Sequence, residues 1–194
     1  MSETRRKNLR PLRSRKHSVS LFFIALLFLA SACGGSKSAT PSEAALSTAI
    51  PGGFDPCHGI PAKVLDGENL NTEPSTRTKN NDKVKEEGCF YYPTAQGIKD
   101  GDVGIGIEVL ATNMTYDYFR GTYANDPGHS IGKQLEIGNR PSATLLSDTK
   151  GMCQLFVSVK GGGIKFDTLT HKGDPCQVLI DFANKISPQL PPAN

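Results

Sequence analysis

Met152-Cys153-Gln154-Leu155-Phe156-Val157-Ser158-Val159 runs through Gly161-Gly162-Gly163 into Ile164-Lys165-Phe166-Asp167-Thr168-Leu169. Two runs rich in β-branched and aromatic residues, parted by glycines, read as a β-hairpin with strands over 155–159 and 164–169. Immediately downstream, Asp174-Pro175-Cys176 opens a segment with Val178, Leu179, Phe182 and Ile186 at helical spacing. Asp supplies an N-cap, because its carboxylate accepts free amide hydrogens of the first turn. Pro follows at the first helical position, where its missing N–H costs nothing. A helix over 175–186 is expected, stopping at Ser187-Pro188.

The same tripeptide occurs at Asp55-Pro56-Cys57, which predicts a second capped helix over 56–65. Asp55 and Asp174 are therefore read as helix caps rather than as a catalytic carboxylate pair. Between the two tripeptides the pattern is mostly β. Gly88-Cys89-Phe90-Tyr91-Tyr92 is strand-like. Val103, Ile105, Ile107 and Val109 alternate with Gly104, Gly106 and Glu108, and the glycine side would let a helix approach closely. A helix is expected over 115–123. A strand pair is expected over 135–137 and 143–146, turned at Gly138-Asn139-Arg140-Pro141. This order predicts an α+β single domain, a largely antiparallel sheet with N- and C-terminal helices packed on it.

The chain has 194 residues and a formal net charge of +3. Of its 22 Lys and Arg, seven lie between Arg5 and Lys16, and of its 19 Asp and Glu only Glu3 precedes residue 33. The remainder carries 15 bases against 18 acids, so a nucleic-acid partner is not expected. The early basic run is followed by about twelve apolar residues, against the roughly 20 needed to span a bilayer. That is a signal peptide over 1–32. It ends in Leu29-Ala30-Ser31-Ala32-Cys33, small residues before a cysteine, which resembles a bacterial lipobox. The resemblance implies acylation of Cys33, cleavage before it, and a membrane partner through the lipid. The alternative is an ordinary Ala-Ser-Ala cleavage signal. Asn8 in Arg5-Arg6-Lys7-Asn8 weakens a twin-arginine route, so general secretion to the extracytoplasmic face is expected. Residues 33–53, rich in Ser, Ala, Thr, Pro and Gly, read as the lipidated cysteine and a flexible tether. Residues 54–190 read as the domain, and 191–194 as a tail.

Setting Cys33 aside leaves Cys57, Cys89, Cys153 and Cys176, an even number in an oxidising compartment. Of three possible pairings, the repeated tripeptide favours Cys57–Cys89 and Cys153–Cys176, each tying a helix start to a nearby strand.

The order of lipobox, Ser/Pro tether, Asp-Pro-Cys, Cys89 with aromatics, Gly138-Asn139-Arg140-Pro141-Ser142-Ala143, Cys153 in a strand and a second Asp-Pro-Cys resembles the actinobacterial lipoproteins grouped as domain of unknown function DUF 3558. The resemblance covers about residues 20–192. Phe90-Tyr91-Tyr92 stands where members often carry Trp, and Asn139 where a small residue is common. The resemblance implies localisation and architecture and carries over no catalytic residue.

Chemistry is sparse in the sequence. No cysteine is left as a nucleophile once four are bridged and one is acylated. His58, His129 and His171 show no metal-ligand spacing, so neither metal nor cofactor is expected. Gly104-Ile105-Gly106 lacks the following helix that phosphate binding requires. Asn113-Met114-Thr115 matches a glycosylation pattern by coincidence. Arg140 is either a solvated or salt-bridged turn residue or a contact for an anionic ligand or partner. The expectation is a non-enzymatic binding or accessory protein of the cell envelope, with an unknown envelope protein or small ligand as partner. The alternatives are an envelope hydrolase, which would need one of these histidines beside an acid or serine, and an inhibitor or immunity-type protein.

Overall fold

The expected hairpin is present in the computed structural model, which describes residues 46–81, 83–98, 105–147, 151–169 and 174–193. Strand β7 (Met152–Val159) pairs antiparallel with β8 (Gly162–Leu169), and Val159 faces Gly162. The turn is therefore Lys160-Gly161, with Gly161 at φ +87°, a conformation glycine adopts without a Cβ clash.

Around this hairpin the chain runs α1 (Ala62–Gly67), β1 (Ser75–Asn80), β2 (Lys85–Tyr91), β3 (Gly106–Thr112) and α2 (Tyr116–Tyr123). It continues through β4 (His129–Ile131), β5 (Leu135–Ile137), β6 (Arg140–Ser147), the hairpin and α3 (Pro175–Ile186), then a short 3-10 turn at Ser187–Gln189. The sheet is antiparallel, ordered β1-β2-β3-β8-β7-β6-β4, with β5 also pairing β6. The single α+β domain with an eight-stranded sheet is as the sequence pattern required.

Each face of the sheet has its own helix. On one face α3 packs against β5, β6, β7 and β8. Its buried stripe of Leu179, Phe182, Ala183 and Ile186 meets Val157, Val159, Ile164 and Phe166. Burying the larger of these side chains, the leucine, isoleucines, valines and phenylalanines, contributes about 1.5–3 kcal/mol each. Asp174 caps α3 as expected, accepting from the backbone N–H of Cys176 at 2.9 Å and Gln177 at 3.3 Å. The Cys153–Cys176 bridge joins the first turn of α3 to β7. On the opposite face α2 contacts β4, β6 and β7. Phe119 there stacks on Phe156, centroids 4.9 Å apart. Thr115 caps α2 by accepting from Tyr118 N–H at 3.2 Å.

Several expectations need correction. The segment after Asp55 is not a helix from residue 56. It makes one turn, with Asp55 accepting from Cys57 and His58 N–H, and α1 starts only at Ala62. Pro61 is the reason, since a proline disfavours helical geometry at the residue before it. The glycine at 106 accommodates a ring rather than a helix, for a Cβ there would collide with Phe90. The 138–141 turn is shorter than expected. Ile137 pairs with Arg140, leaving Gly138 and Asn139 as a two-residue turn at φ +55° and +63°, the geometry favoured by strand twist. Strands β1 and β4 were not anticipated.

The ends are also tighter than the sequence implied. Ser47 N–H donates to Asn113 O at 2.9 Å, Ile50 packs on the core and Pro51 is buried. These residues belong to the domain rather than to a tether. At the other end Lys160 N–H donates to Pro192 O at 2.9 Å, so the expected tail is bound to the hairpin. The signal peptide, Cys33, the tether up to residue 45, Val103, Gly104 and His171 lie outside the described residues.

Candidate functional site

The α2 face of the sheet carries the concentration of polar chemistry. Strand register sets it out. Phe90, Glu108, Asp167 and Gln154 lie opposite one another on β2, β3, β8 and β7. Two residues along β8, Lys165 occupies the same face. Glu86 of β2 and Arg77 and Lys79 of β1 complete the group.

These side chains form an alternating row of charge. Lys165 Nζ lies 2.7 Å from Glu86 Oε1 and 3.6 Å from Asp167 Oδ2. Asp167 Oδ2 is 3.9 Å from Lys79 Nζ. Lys79 donates to Glu108 Oε2, and Arg77 Nε lies 3.9 Å from Glu108 Oε1. The sequence of signs is minus, plus, minus, plus, minus, plus from Glu86 to Arg77. The Glu86 and Lys165 side chains are each 8% exposed, whereas Lys79 is 50% exposed. The row thus runs from a buried pair to a surface cation. At its outer end Arg77 lies over the Phe90 ring at 5.5 Å and donates to the Tyr92 hydroxyl at 3.4 Å.

Burial pushes the Asp167 carboxyl up to about 7, against the pull of Lys165, and the neighbouring Glu108 carboxyl pushes it the same way as burial. Burial alone would lower Lys165, but Asp167 and then Glu86 outweigh it and hold the ammonium above its ordinary value. Burial raises Tyr123 as well. Asp167 Oδ1 and Gln154 Oε1 are buried with no hydrogen-bond partner among the described residues, so two acceptors in this corner are unsatisfied.

A cavity of about 340 Å³ opens beside this row. Its floor includes Lys165 and Glu86, one wall is Tyr118, Thr122 and Tyr123 of α2, and the other is Lys79, Asn80, Asn81 and Val84. The size suits a small molecule. Asn113 fixes the second wall. Buried at the end of β3, it accepts from Lys85 N–H at 2.8 Å and donates to Lys83 O at 3.0 Å and Ser47 O at 3.1 Å. Its amide is committed to three backbone partners, which accounts for the residue without glycosylation. A second cavity, about 410 Å³, lies on the α3 face between Ile50, Phe54 and Pro56 and the strand residues Thr76, Thr78 and Ala111.

The residues singled out from sequence lie elsewhere. The four cysteines form Cys57–Cys89 and Cys153–Cys176, with Cα atoms 5.1 and 5.2 Å apart. Asp55 caps its turn and also meets His58 Nδ1 at 2.9 Å. That hydrogen bond, ahead of the one from Cys57 N–H, lowers its carboxyl. His129 Nδ1 stands 3.0 Å from Asp126, whose carboxyl is lowered chiefly by Gly128 N–H. His58 is thus hydrogen-bonded by the aspartate three residues earlier, whereas His129 Nδ1, at ion-pair distance from its aspartate, is buried without a hydrogen-bond partner among the described residues. Arg140 is neither a solvated turn residue nor an open ligand contact. It is buried and donates to the carbonyls of Pro191 at 2.6 Å, Leu190 at 2.8 Å and Gly138 at 2.9 Å. Desolvation lowers its guanidinium from the ordinary value.

Glu86, Glu108, Lys165 and Asp167 were missed. For Glu108, Lys165 and Asp167 the signal is charge inside otherwise apolar strands, as in Ile107-Glu108-Val109 and Ile164-Lys165-Phe166-Asp167, whereas Glu86, between Lys85 and Glu87, carries no such signal.

Among the described residues no group of three or more His, Cys, Asp or Glu could hold a metal ion, and no helix is long and apolar enough to cross a membrane. Compared with protein-family models, curated proteins and solved structures, the chain matches none.

Proposed function

We propose that this chain is an exported lipoprotein, anchored through Cys33 to the extracytoplasmic face of the cell membrane, and that its domain binds a small polar ligand in the cavity beside α2. The reading is of a binding or accessory protein rather than an enzyme. It keeps the resemblance to the DUF 3558 lipoproteins and a general secretion route.

The observation that carries the binding reading is the Glu86–Lys165 pair in the floor of that cavity. A buried ion pair is weak as a stabilising device, because desolvation offsets most of its attraction. Placed under a cavity, it presents a fixed donor and a fixed acceptor to an incoming polar molecule. Two disulfides hold the domain on either side of the sheet centre, as suits a domain working in an oxidising compartment.

The anchor is tested by fractionating cells that express the wild-type chain or Cys33→Ala. Wild type is expected in the membrane fraction with a diacylglycerol-modified N-terminal peptide, and the variant in the soluble fraction. Equal release of both would sink the lipoprotein reading. Binding is tested by thermal shift of the mature chain against amino acids, sugars, carboxylates and inorganic anions. At least one class should raise the Tm of wild type and not of Lys165→Met. No shift with any of them would sink the cavity as a ligand site.

A further inference from the structure

Lys79 and Lys165 both line the α2 cavity, and each has its own close carboxylate, Glu108 for the first and Glu86 for the second. Asp167 is the third acid. It sits 3.9 Å from one ammonium and 3.6 Å from the other, beyond ordinary hydrogen-bond length to both. It is the counter-ion the two lysines share, and the only one of the three acids without a close cation of its own among the described residues. With all six groups charged the row is neutral. Removing the charge of Asp167 leaves three cations and two anions, and the surplus falls between the two lysines of the cavity.

We propose that the cavity takes a small oxyanion, the carboxylate, sulfate or phosphate group of its ligand, held between Lys79 and Lys165, and that Asp167 gives up its charge to a proton as the anion enters. This deepens the binding reading above and rests on it.

Three observations support the exchange. Asp167 faces Glu108 directly across β3 and β8, and two carboxyls placed side by side favour a proton on one of them. Asp167 Oδ1 and the Oε1 of its register partner Gln154 are buried acceptors without donors among the described residues. A proton on Asp167 adds a donor for one of these acceptors. The exposed part of Lys79 and the hydroxyl-bearing wall of Tyr118, Thr122 and Tyr123 leave the anion a polar approach.

The described titratable groups facing Asp167 are Arg77 and Lys79 from β1, Glu86 from β2, Glu108 from β3 and Lys165 from its own strand. Tyr123 faces it from α2. An anion beside the lysines would raise the proton affinity of Asp167 further, so anion and proton bind with positive coupling.

The test is calorimetric titration of sulfate, a dianion throughout pH 5.5–8, into the whole mature chain carrying Cys33→Ala for solubility. Ionic strength is held constant with chloride. Since Asp167 titrates near 7, the competent fraction at pH 8 is about one tenth, and Kd should be about tenfold weaker there than at pH 5.5. Repeating the titration at pH 8 in buffers of different ionisation enthalpy should show uptake of close to one proton. Asp167→Asn should bind equally at both pH values. Lys165→Met should lose sulfate binding at both, and Lys79→Met, at a half-exposed position, should weaken it at least fivefold. A wild-type Kd independent of pH, or an unchanged pH dependence in Asp167→Asn, would overturn the exchange. If sulfate fails to bind at either pH while a neutral compound raises the Tm in a Lys165-dependent way, the oxyanion is wrong and the cavity reading stands. If nothing binds, both fall.

Discussion

The guanidinium of Arg140 closes the domain on Leu190: Nη2 donates to the Leu190 carbonyl at 2.8 Å, across 50 residues of sequence. Nε reaches the next carbonyl, Pro191, at 2.6 Å, and Nη1 returns to Gly138 at 2.9 Å. One planar fork thus joins the β5–β6 turn to the segment that follows α3. Replacing Arg140 with Met keeps the stem and strips the donors, leaving buried carbonyls unsatisfied at about 1–3 kcal/mol each. Arg140→Met should lower the urea midpoint by an amount equivalent to about 3 kcal/mol or more. Arg140→Lys should recover only part, because an ammonium lacks the fork geometry. Equal midpoints for wild type and Arg140→Met would show that the clamp contributes nothing.

The two disulfides close loops of sequence separation 32 and 23. In the chain-entropy model each constrains the unfolded chain by about 3–4 kcal/mol. Cys153→Ala with Cys176→Ala should therefore destabilise by about 3 kcal/mol, and the α3 end should exchange its amide hydrogens faster while β1–β2 is little changed. Hydrogen exchange read by mass spectrometry separates the two halves. Uniform acceleration across the domain would mean that the bridge does not act locally through α3.

Asp174-Pro175-Cys176 and Asp55-Pro56-Cys57 show how far the sequence could be read. Both aspartates cap, and both cysteines pair as the repeated tripeptide implied. Only the first leads into a long helix, because Pro61 stops the second, and that competition is local and visible in hindsight. Strand β1 was invisible for a different reason. Ser75-Thr76-Arg77-Thr78-Lys79-Asn80 has no apolar alternation, and it is a strand because the edge of β2 pairs with it. The charges of Glu108, Lys165 and Asp167 inside apolar strands are visible in the sequence, but their joining into one row is not. Its members come from four strands, and what joins them is register, which periodicity within one strand does not reveal.

Asp167 makes stability depend on pH in a stated direction. Its folded value, about 7, stands above the ordinary 3.8. Between those values the unfolded chain releases this proton while the folded chain keeps it, so stability falls as pH rises. The group's contribution is fully present below about 4 and lost as pH climbs through 7. From pH 5 to 8 the loss amounts to at most about 3 kcal/mol at 1.36 kcal/mol per unit. Asp167→Asn cannot titrate, so its urea midpoint should change much less over the same interval. Parallel pH curves for the two proteins would show that Asp167 is ionised at pH 5.

Gly163 is where the sheet accommodates α2. A Cβ at this position would fall inside the Phe156 ring. That ring is stacked on Phe119 and lies 6.5 Å from the Tyr116 ring, so it cannot withdraw without moving α2. Overpacking of this kind costs about 1–3 kcal/mol, and Gly163→Ala should show that loss in urea. Gly67 is the control. Nothing lies within 4 Å of a Cβ there, and its φ is not in the left-handed region. Gly67→Ala in α1 should be neutral or stabilise by up to about 1 kcal/mol. The displacement of α2 should also reach the cavity, because Tyr118, Thr122 and Tyr123 form its wall. Tyrosine ring resonances of α2 should therefore shift in Gly163→Ala and stay in place in Gly67→Ala. If Gly163→Ala matches wild type in both midpoint and ring resonances, Phe156 has room to move and α2 is not held by this contact.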